Sequence, residues 1–301
     1  MKKDFKGLWP AMLTPVNKQG EPAMDQLEKL VELLISQGMD GLYLLGSTGQ
    51  GVLFTEEQRK KVTSLVIEVT AKRSPVMVQV GALTTDESVR LAKHAEKSGA
   101  DAISSVGPIY YAPSAAMALE HYRTIATATS LPFMPYQLGD NSIPGETISF
   151  VSKLLEIPNV AGMKLTTNQL LEISAIHNFA GDRLKLFSGS DELFCHASLC
   201  GTVGAIGSFY NLWGMACKHV MTEFKNGNFQ LGKEFMLTFQ QVIRLVLPNI
   251  WTFLRRAMLI KYNIDIGQTK APLGNTHTEW KDDEVMALSE KLETIASTVR
   301  V

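Results

Sequence analysis

Short apolar runs alternate along the chain with segments whose apolar residues recur at helical spacing. The runs are Gly7–Thr14, Gly41–Gly46, Val76–Gly81, Ala102–Val106, Phe133–Leu138, Val160–Leu165, Lys185–Ser188 and Gly204–Gly207. Most are continuous rather than alternating, the pattern of parallel strands covered on both faces. Between them, Leu27, Leu30, Val31 and Leu34 share one helical face, as do Val62, Leu65, Val66 and Val69. Thr55-Glu56-Glu57-Gln58 and Thr84-Thr85-Asp86-Glu87 read as capping boxes that open helices. Gly38-Met39-Asp40 and Gly99-Ala100-Asp101 end helices just before the next strand.

Eight strand–helix units fit between residue 7 and about residue 226. Eight is the number that closes a parallel sheet without leaving an edge, so the pattern predicts a (β/α)8 TIM barrel over residues 1–226. An open doubly wound sheet is the alternative, but no Gly-x-Gly-x-x-Gly turn follows the first strand. After Gly227 the rhythm stops. Phe229 to Tyr262 and Asp282 to Thr298 read as helices joined by the loop Gly267–Lys281, a C-terminal helical region (227–301) that covers the barrel or contacts another subunit.

Composition narrows the partners. The 301 residues carry 29 Lys plus Arg against 30 Asp plus Glu, a formal net charge of −1. Such a balance supplies no field to gather nucleic acid or anionic lipid, and a 45% apolar fraction is too high for a disordered chain. Three cysteines, Cys195, Cys200 and Cys217, do not make a disulfide framework and fit reduced thiols. The stretch Val203–Cys217 is broken by Gly, Ser and Asn and falls short of a membrane span. A cytoplasmic location is therefore expected.

Barrel chemistry collects where strands end, so those positions are the ones to read. Val160-Ala161-Gly162-Met163-Lys164-Leu165 sets a lysine inside an apolar run. Burying an ammonium is costly, and a site that lowers its pKa yields the neutral amine that Schiff-base formation requires. The bland alternative is a stem that packs while the head reaches solvent. Lys185, at the start of its strand, is expected to be structural. Gly46-Ser47-Thr48-Gly49-Gln50-Gly51 presents amides and two hydroxyls suited to a carboxylate, although an ordinary glycine turn reads the same way. Tyr136 lies on the strand beside that of Lys164, and Tyr110 and Tyr111 follow the fourth strand. A phenol near a neutral amine can shuttle protons. A metal reading of Asp191, Glu192, Cys195 and His196 lacks a second ligand pair, so no metal is expected.

These motifs, in their order and spacing, resemble the pyruvate-dependent class I aldolase family that includes dihydrodipicolinate synthase and N-acetylneuraminate lyase. The resemblance spans nearly the whole chain through Gly46-Ser47-Thr48-Gly49, Tyr110, Tyr136, Gly162-Met163-Lys164-Leu165-Thr166-Thr167, Gly189-Ser190-Asp191-Glu192 and the run from Gly204 to Asn211. It implies that Lys164 forms a Schiff base with pyruvate, that Ser47 and Thr48 hold its carboxylate, and that Tyr136 transfers protons. Tyr110 would enter a neighbouring subunit's site and complete a hydroxyl relay with the Ser47–Thr48 turn. The lyase branch fits best. It implies contacts from Thr167, Gly189, Asp191, Glu192 and Ser208 to the polyhydroxy tail of a sialic acid, no metal or organic cofactor, and a homotetramer.

The chain also departs from the family pattern. No arginine stands shortly after Tyr136, in Gln137-Leu138-Gly139-Asp140-Asn141-Ser142, which argues against dihydrodipicolinate synthesis. The lyase's usual Tyr-Asn-Ile-Pro is replaced by Tyr136-Gln137-Leu138-Gly139, the usual Glu after Gly49 is Gln50, and Ser190 stands where an aromatic often precedes Asp191. Asp140 is expected either to add a polar contact or to cap the next helix. These departures leave open a pyruvate-dependent aldolase acting on another 2-keto-3-deoxy sugar acid, a dihydrodipicolinate synthase-like enzyme, or a non-catalytic sialic-acid-binding protein.

Overall fold

A computed structural model describes residues 5–111, 114–274 and 279–297. Its eight strands are β1 (Gly7–Pro10), β2 (Leu42–Leu44), β3 (Val76–Gln79), β4 (Ala102–Val106), β5 (Phe133–Leu138), β6 (Gly162–Thr166), β7 (Lys185–Ser188) and β8 (Gly204–Gly207). All seven ladders are parallel, in the order β1-β8-β7-β6-β5-β4-β3-β2. The seam between β1 and β2 is closed by a single bridge, Ala11 to Tyr43, with the Met12 amide donating to the Tyr43 carbonyl at 2.9 Å. The chain therefore folds as the expected TIM barrel with C-terminal helices.

Eight helices follow the strands in turn: α1 (Met24–Ser36), α2 (Glu56–Thr70), α3 (Thr85–Ser98), α4 (Ala115–Ala126), α5 (Thr147–Leu154), α6 (Leu170–Ala180), α7 (Phe194–Leu199) and α8 (Tyr210–Lys225). The Thr55 box opens α2 with both reciprocal bonds, whereas Thr84 opens α3 through its own hydroxyl alone. Helix α3 ends at Gly99, left-handed at φ 95°. Between strands and helices lies one continuous apolar core. A second, separate cluster fills the barrel interior and reaches up to Tyr43, with Phe5, Trp9, Met77, Met134, Phe187 and Ile206 among its members.

The span expected as one helix from Phe229 to Tyr262 is two, α9 (Phe229–Val246) and α10 (Ile250–Tyr262), parted by a 3-10 turn at Leu247–Asn249. Pro248 is the cause, since it has no amide to continue the ladder. Helix α11 runs Asp282–Ser297, and Thr298 lies outside the described residues. These helices do not hang apart from the barrel. Trp213 of α8 stacks on Phe209 at 5.4 Å, meets Phe253 of α10 at 5.7 Å, and donates its indole N–H to Ser289 of α11 at 3.1 Å.

Candidate active site

The barrel interior changes character between its ends. Below the middle it is apolar. Above it, at the carboxyl ends of the strands, inward positions carry Tyr43, Gln79, Ser104, Tyr136, Lys164 and Thr166. Lys164 stands opposite Tyr136 in the β5–β6 register and is 5% exposed. Its Nζ lies 4.1 Å from the centroid of the Tyr136 ring and 4.7 Å from that of Tyr43. Among the described residues no carboxylate lies within 4 Å of that nitrogen. The Thr166 hydroxyl donates to Tyr136 Oη at 3.3 Å, which fixes the phenol on the lysine's own strand. Gly189 leaves room for this pair. A Cβ there would overlap Thr166 Oγ1 and come within 3.0 Å of Lys164 Cε.

The turn after β2 is held in a strained shape. Leu45 and Gln50 bracket it, both left-handed without being glycine, at φ 57° and 54°. Such positions persist only where the surroundings over-determine them. Here Gln79 Nε2 donates to the Leu45 carbonyl at 3.3 Å, and Gln50 Oε1 accepts the Lys270 amide at 2.7 Å. Gln50 thus straps the C-terminal region to the turn. Ser47 at the apex is exposed, while Thr48 is buried and its hydroxyl meets that of Ser208 at 2.6 Å. A cavity of about 270 Å³ opens beside the turn, lined by Ser47, Val106, Tyr122, Tyr136 and Gln137 among others.

On the opposite rim, Asp191 is buried and accepts the Phe209 amide at 3.0 Å through Oδ2. Gly207 makes this possible, because a Cβ there would overlap Oδ1. Burial raises the Asp191 carboxyl to about 7, against the pull of the Phe209 amide, while the Glu192 charge raises it further and the Lys164 charge opposes. Glu192 is half-buried, and its carbonyl accepts from Gln240 of α9 at 3.0 Å. Thr167 donates to Asp140 Oδ1 at 2.7 Å, the same oxygen that accepts the Asn168 amide at 2.7 Å. Asp140 is therefore a strut between the loops after β5 and β6. Helix α5 is capped instead by Glu146, which accepts from Ile148 and Ser149.

The structure brings Lys164, Tyr136, Ser47, Thr48, Thr167, Gly189, Asp191 and Ser208 to one mouth, with Glu192 beside them. Tyr110 stands apart. It is 80% exposed and packs edge-on with Tyr111 at 5.0 Å. Lys185 sits at the other end of its strand and pairs with Asp182 at 3.5 Å. Sequence reading missed Tyr43, Ser104, Thr166 and Asn211 as parts of the mouth. Asn211 is fully buried and donates to the Ala11 and Ser208 carbonyls at 2.8 and 2.7 Å, stitching β8 to β1. Its place in the run from Gly204 to Asn211 was the one available signal. Among the described residues no group of three or more His, Cys, Asp or Glu side chains is placed to hold a metal ion, and burial pushes the Cys195 thiol up to about 12.

A lysine at the carboxyl end of β6, facing a tyrosine and a hydroxyl-bearing turn within a TIM barrel, defines an aldolase-type site. The chain belongs to the dihydrodipicolinate synthetase family, whose pattern matches residues 4–291. It is 30% identical over 294 residues to an N-acetylneuraminate lyase of Shigella boydii, covering 97% of this chain and 98% of that one. It is 33% identical over 250 residues to an N-acetylneuraminate lyase of Citrobacter koseri, covering 83% and 84%. The crystal structure of N-acetylneuraminate lyase from Mycoplasma synoviae superposes with a TM-score of 0.85 at 28% identity, covering 98% of both chains. Among the described residues no helix is long and apolar enough to cross a membrane.

Proposed function

We propose that this chain is a Schiff-base lyase that cleaves N-acetylneuraminate to pyruvate and N-acetylmannosamine. The observation that carries the reading is the buried Lys164 nitrogen held against the Tyr136 ring beside the Ser47–Thr48 turn. The relatives named above supply the substrate. Neutral Lys164 Nζ adds to the C2 ketone, whose oxygen takes up one proton from the amine and one from the Tyr136 phenol and leaves as water, giving an iminium and a Tyr136 phenolate. The C3–C4 bonding pair flows into that iminium and leaves a neutral enamine. Tyr136 accepts the C4 hydroxyl proton as the aldehyde departs. Protonation at C3 and hydrolysis then release pyruvate and the amine. The imine does the electron work, so no metal or organic cofactor is invoked.

Ser47 and Thr48 hold the substrate carboxylate, and Thr167, Gly189, Asp191, Glu192 and Ser208 contact the sugar tail. Tyr110 completes a neighbouring subunit's site, a role supported by its exposure here and by the absence, among the described residues, of any hydrogen bond from it to Ser47 or Tyr136. The enzyme is a cytoplasmic homotetramer in this reading. Light scattering showing a fully active monomer would remove the Tyr110 role.

Borohydride with pyruvate should fix a covalent adduct on the wild-type protein and none on Lys164→Ala. An unchanged wild-type mass sinks the Schiff base. A second reading, another 2-keto-3-deoxy sugar acid, gains from Asp191, one of whose oxygens is already committed to Phe209. Pyruvate release across a panel of such acids separates the two.

A further inference from the structure

The Lys164 nitrogen has two aromatic faces around it and, among the described residues, no carboxylate within 4 Å. Tyr136 is accounted for in the reaction above. Tyr43 is not. It sits on β2, fully buried, with its ring edge-on to that of Tyr136 at 6.5 Å and 89°, and its hydroxyl is satisfied by Ser104 Oγ at 3.1 Å. Burial holds the Tyr43 phenol protonated, well above its ordinary range. Its hydroxyl is thus spent on the barrel wall, and what it presents to Nζ is its ring face at 4.7 Å.

We infer that Tyr43 is a positioning residue whose ring, together with that of Tyr136, stabilises positive charge on the Lys164 nitrogen and so favours the cationic imine. A ring face attracts a cation through its quadrupole, and the attraction grows when the cation is desolvated, as it is at 5% exposure. The inference rests on the proposed imine between Lys164 and pyruvate. The iminium nitrogen keeps the place of Nζ on the same side chain and carries the charge that the amine lacked when it attacked. A carboxylate beside it would form a tight ion pair that also holds the free lysine protonated and un-nucleophilic. Two π faces give a weaker hold, enough to steady the iminium without locking the ammonium. When the C3–C4 pair collapses into the iminium the charge vanishes, and the rings no longer favour the nitrogen, so the enamine is free to be protonated.

The test is a series of phenylalanine analogues at position 43 carrying zero to four ring fluorines, which drain the quadrupole at nearly constant shape. The readout is the equilibrium fraction of protein trapped by borohydride across a pyruvate titration. Tyr43→Phe is expected to hold the wild-type imine constant within about twofold, since it keeps the face and loses only the Ser104 bond. The constant should then fall stepwise with fluorine count, by roughly three- to tenfold at the end of the series. A flat series with an intact imine overturns the inference and leaves the proposed function standing. A full loss already at Tyr43→Phe, matched by Ser104→Ala, overturns it in favour of the hydroxyl bond. No trapped imine in the wild type overturns both.

Discussion

The two ends of the barrel interior are built from the same eight strands and do opposite work. The lower end is plugged by Phe5, Trp9, Met77, Met134, Phe187 and Ile206, with Trp9 and Phe187 meeting edge-on at 6.0 Å. The upper end holds a buried lysine, two tyrosines and a set of hydroxyls. Lys164 and Lys185, on adjacent strands, show the difference at single-residue scale. Lys185 enters its strand from below and pairs with Asp182, whereas Lys164 sits two residues further up β6 than Gly162, the register partner of Lys185, and lies against the rings of Tyr136 and Tyr43. Height along the strand decides whether a lysine is a solvated charge or a candidate nucleophile.

The largest effect should therefore fall on one lysine and spare the other. Lys164→Ala is expected to lower kcat for pyruvate release by at least roughly a thousandfold, with the fold intact by circular dichroism. Lys185→Ala should stay within about twofold of wild type, because an exposed pair of this kind contributes little. Equal losses in the two variants would dissolve the distinction. Stability should show the reverse order. Phe187→Ala opens a cavity in the lower plug and should cost about 3–5 kcal/mol in urea unfolding. Ser104→Ala, near the upper end, removes one hydrogen bond and should cost only about 1 kcal/mol.

The same contrast explains what could be read without coordinates. Strands β4, β5, β7 and β8 occupy the residues their apolar runs predict, since continuous burial leaves an unbroken signal. Strands β1, β2 and β3 stop short of the predicted ends because their last residues turn out of the ladder to build the mouth. Leu45, at φ 57°, is where β2 does so. Lys164 was legible because an ammonium in an apolar run is a conflict, and conflicts mark sites. Tyr43 was not, because a tyrosine between two leucines is ordinary packing until another strand brings a lysine nitrogen onto its face. Asp140 was equally hidden, as its partners Thr167 and Asn168 lie in the loop after the next strand.

Asp191 tests the upper end through pH. Its folded carboxyl is raised from 3.8 to about 7, chiefly by burial. The sign follows: a raised acid favours its protonated form when folded, so this contribution is fully present below about pH 4 and is lost as pH climbs toward 7. Wild-type stability should fall by up to a few kcal/mol across that window through this group. Asp191→Asn keeps an acceptor for the Phe209 amide and removes the titration, so its urea midpoint should vary less between pH 4 and pH 8. A variant whose profile tracks the wild type would mean that Asp191 ionises freely.

The smallest effect should come from Asp140, an exposed strut between two mouth loops. Its carboxylate is held below the usual range by the Thr167 hydroxyl and then by the Asn168 amide. Thr167 meanwhile accepts the Gln169 amide at 3.0 Å, so its proton is committed to Asp140 and its oxygen is left as an acceptor. Asp140→Ala would free that proton and let Thr167 turn. Pyruvate trapping on Lys164 should be unchanged, while KM for the full sugar acid should rise by roughly two- to fivefold, the scale of one loosened polar contact. Asp140→Asn, which can still accept from Thr167, should recover most of it. A drop in trapping equal to the drop in cleavage would place Asp140 with the lysine rather than with the sugar, and the two loops would then have to be treated as one part of the nucleophile's own support.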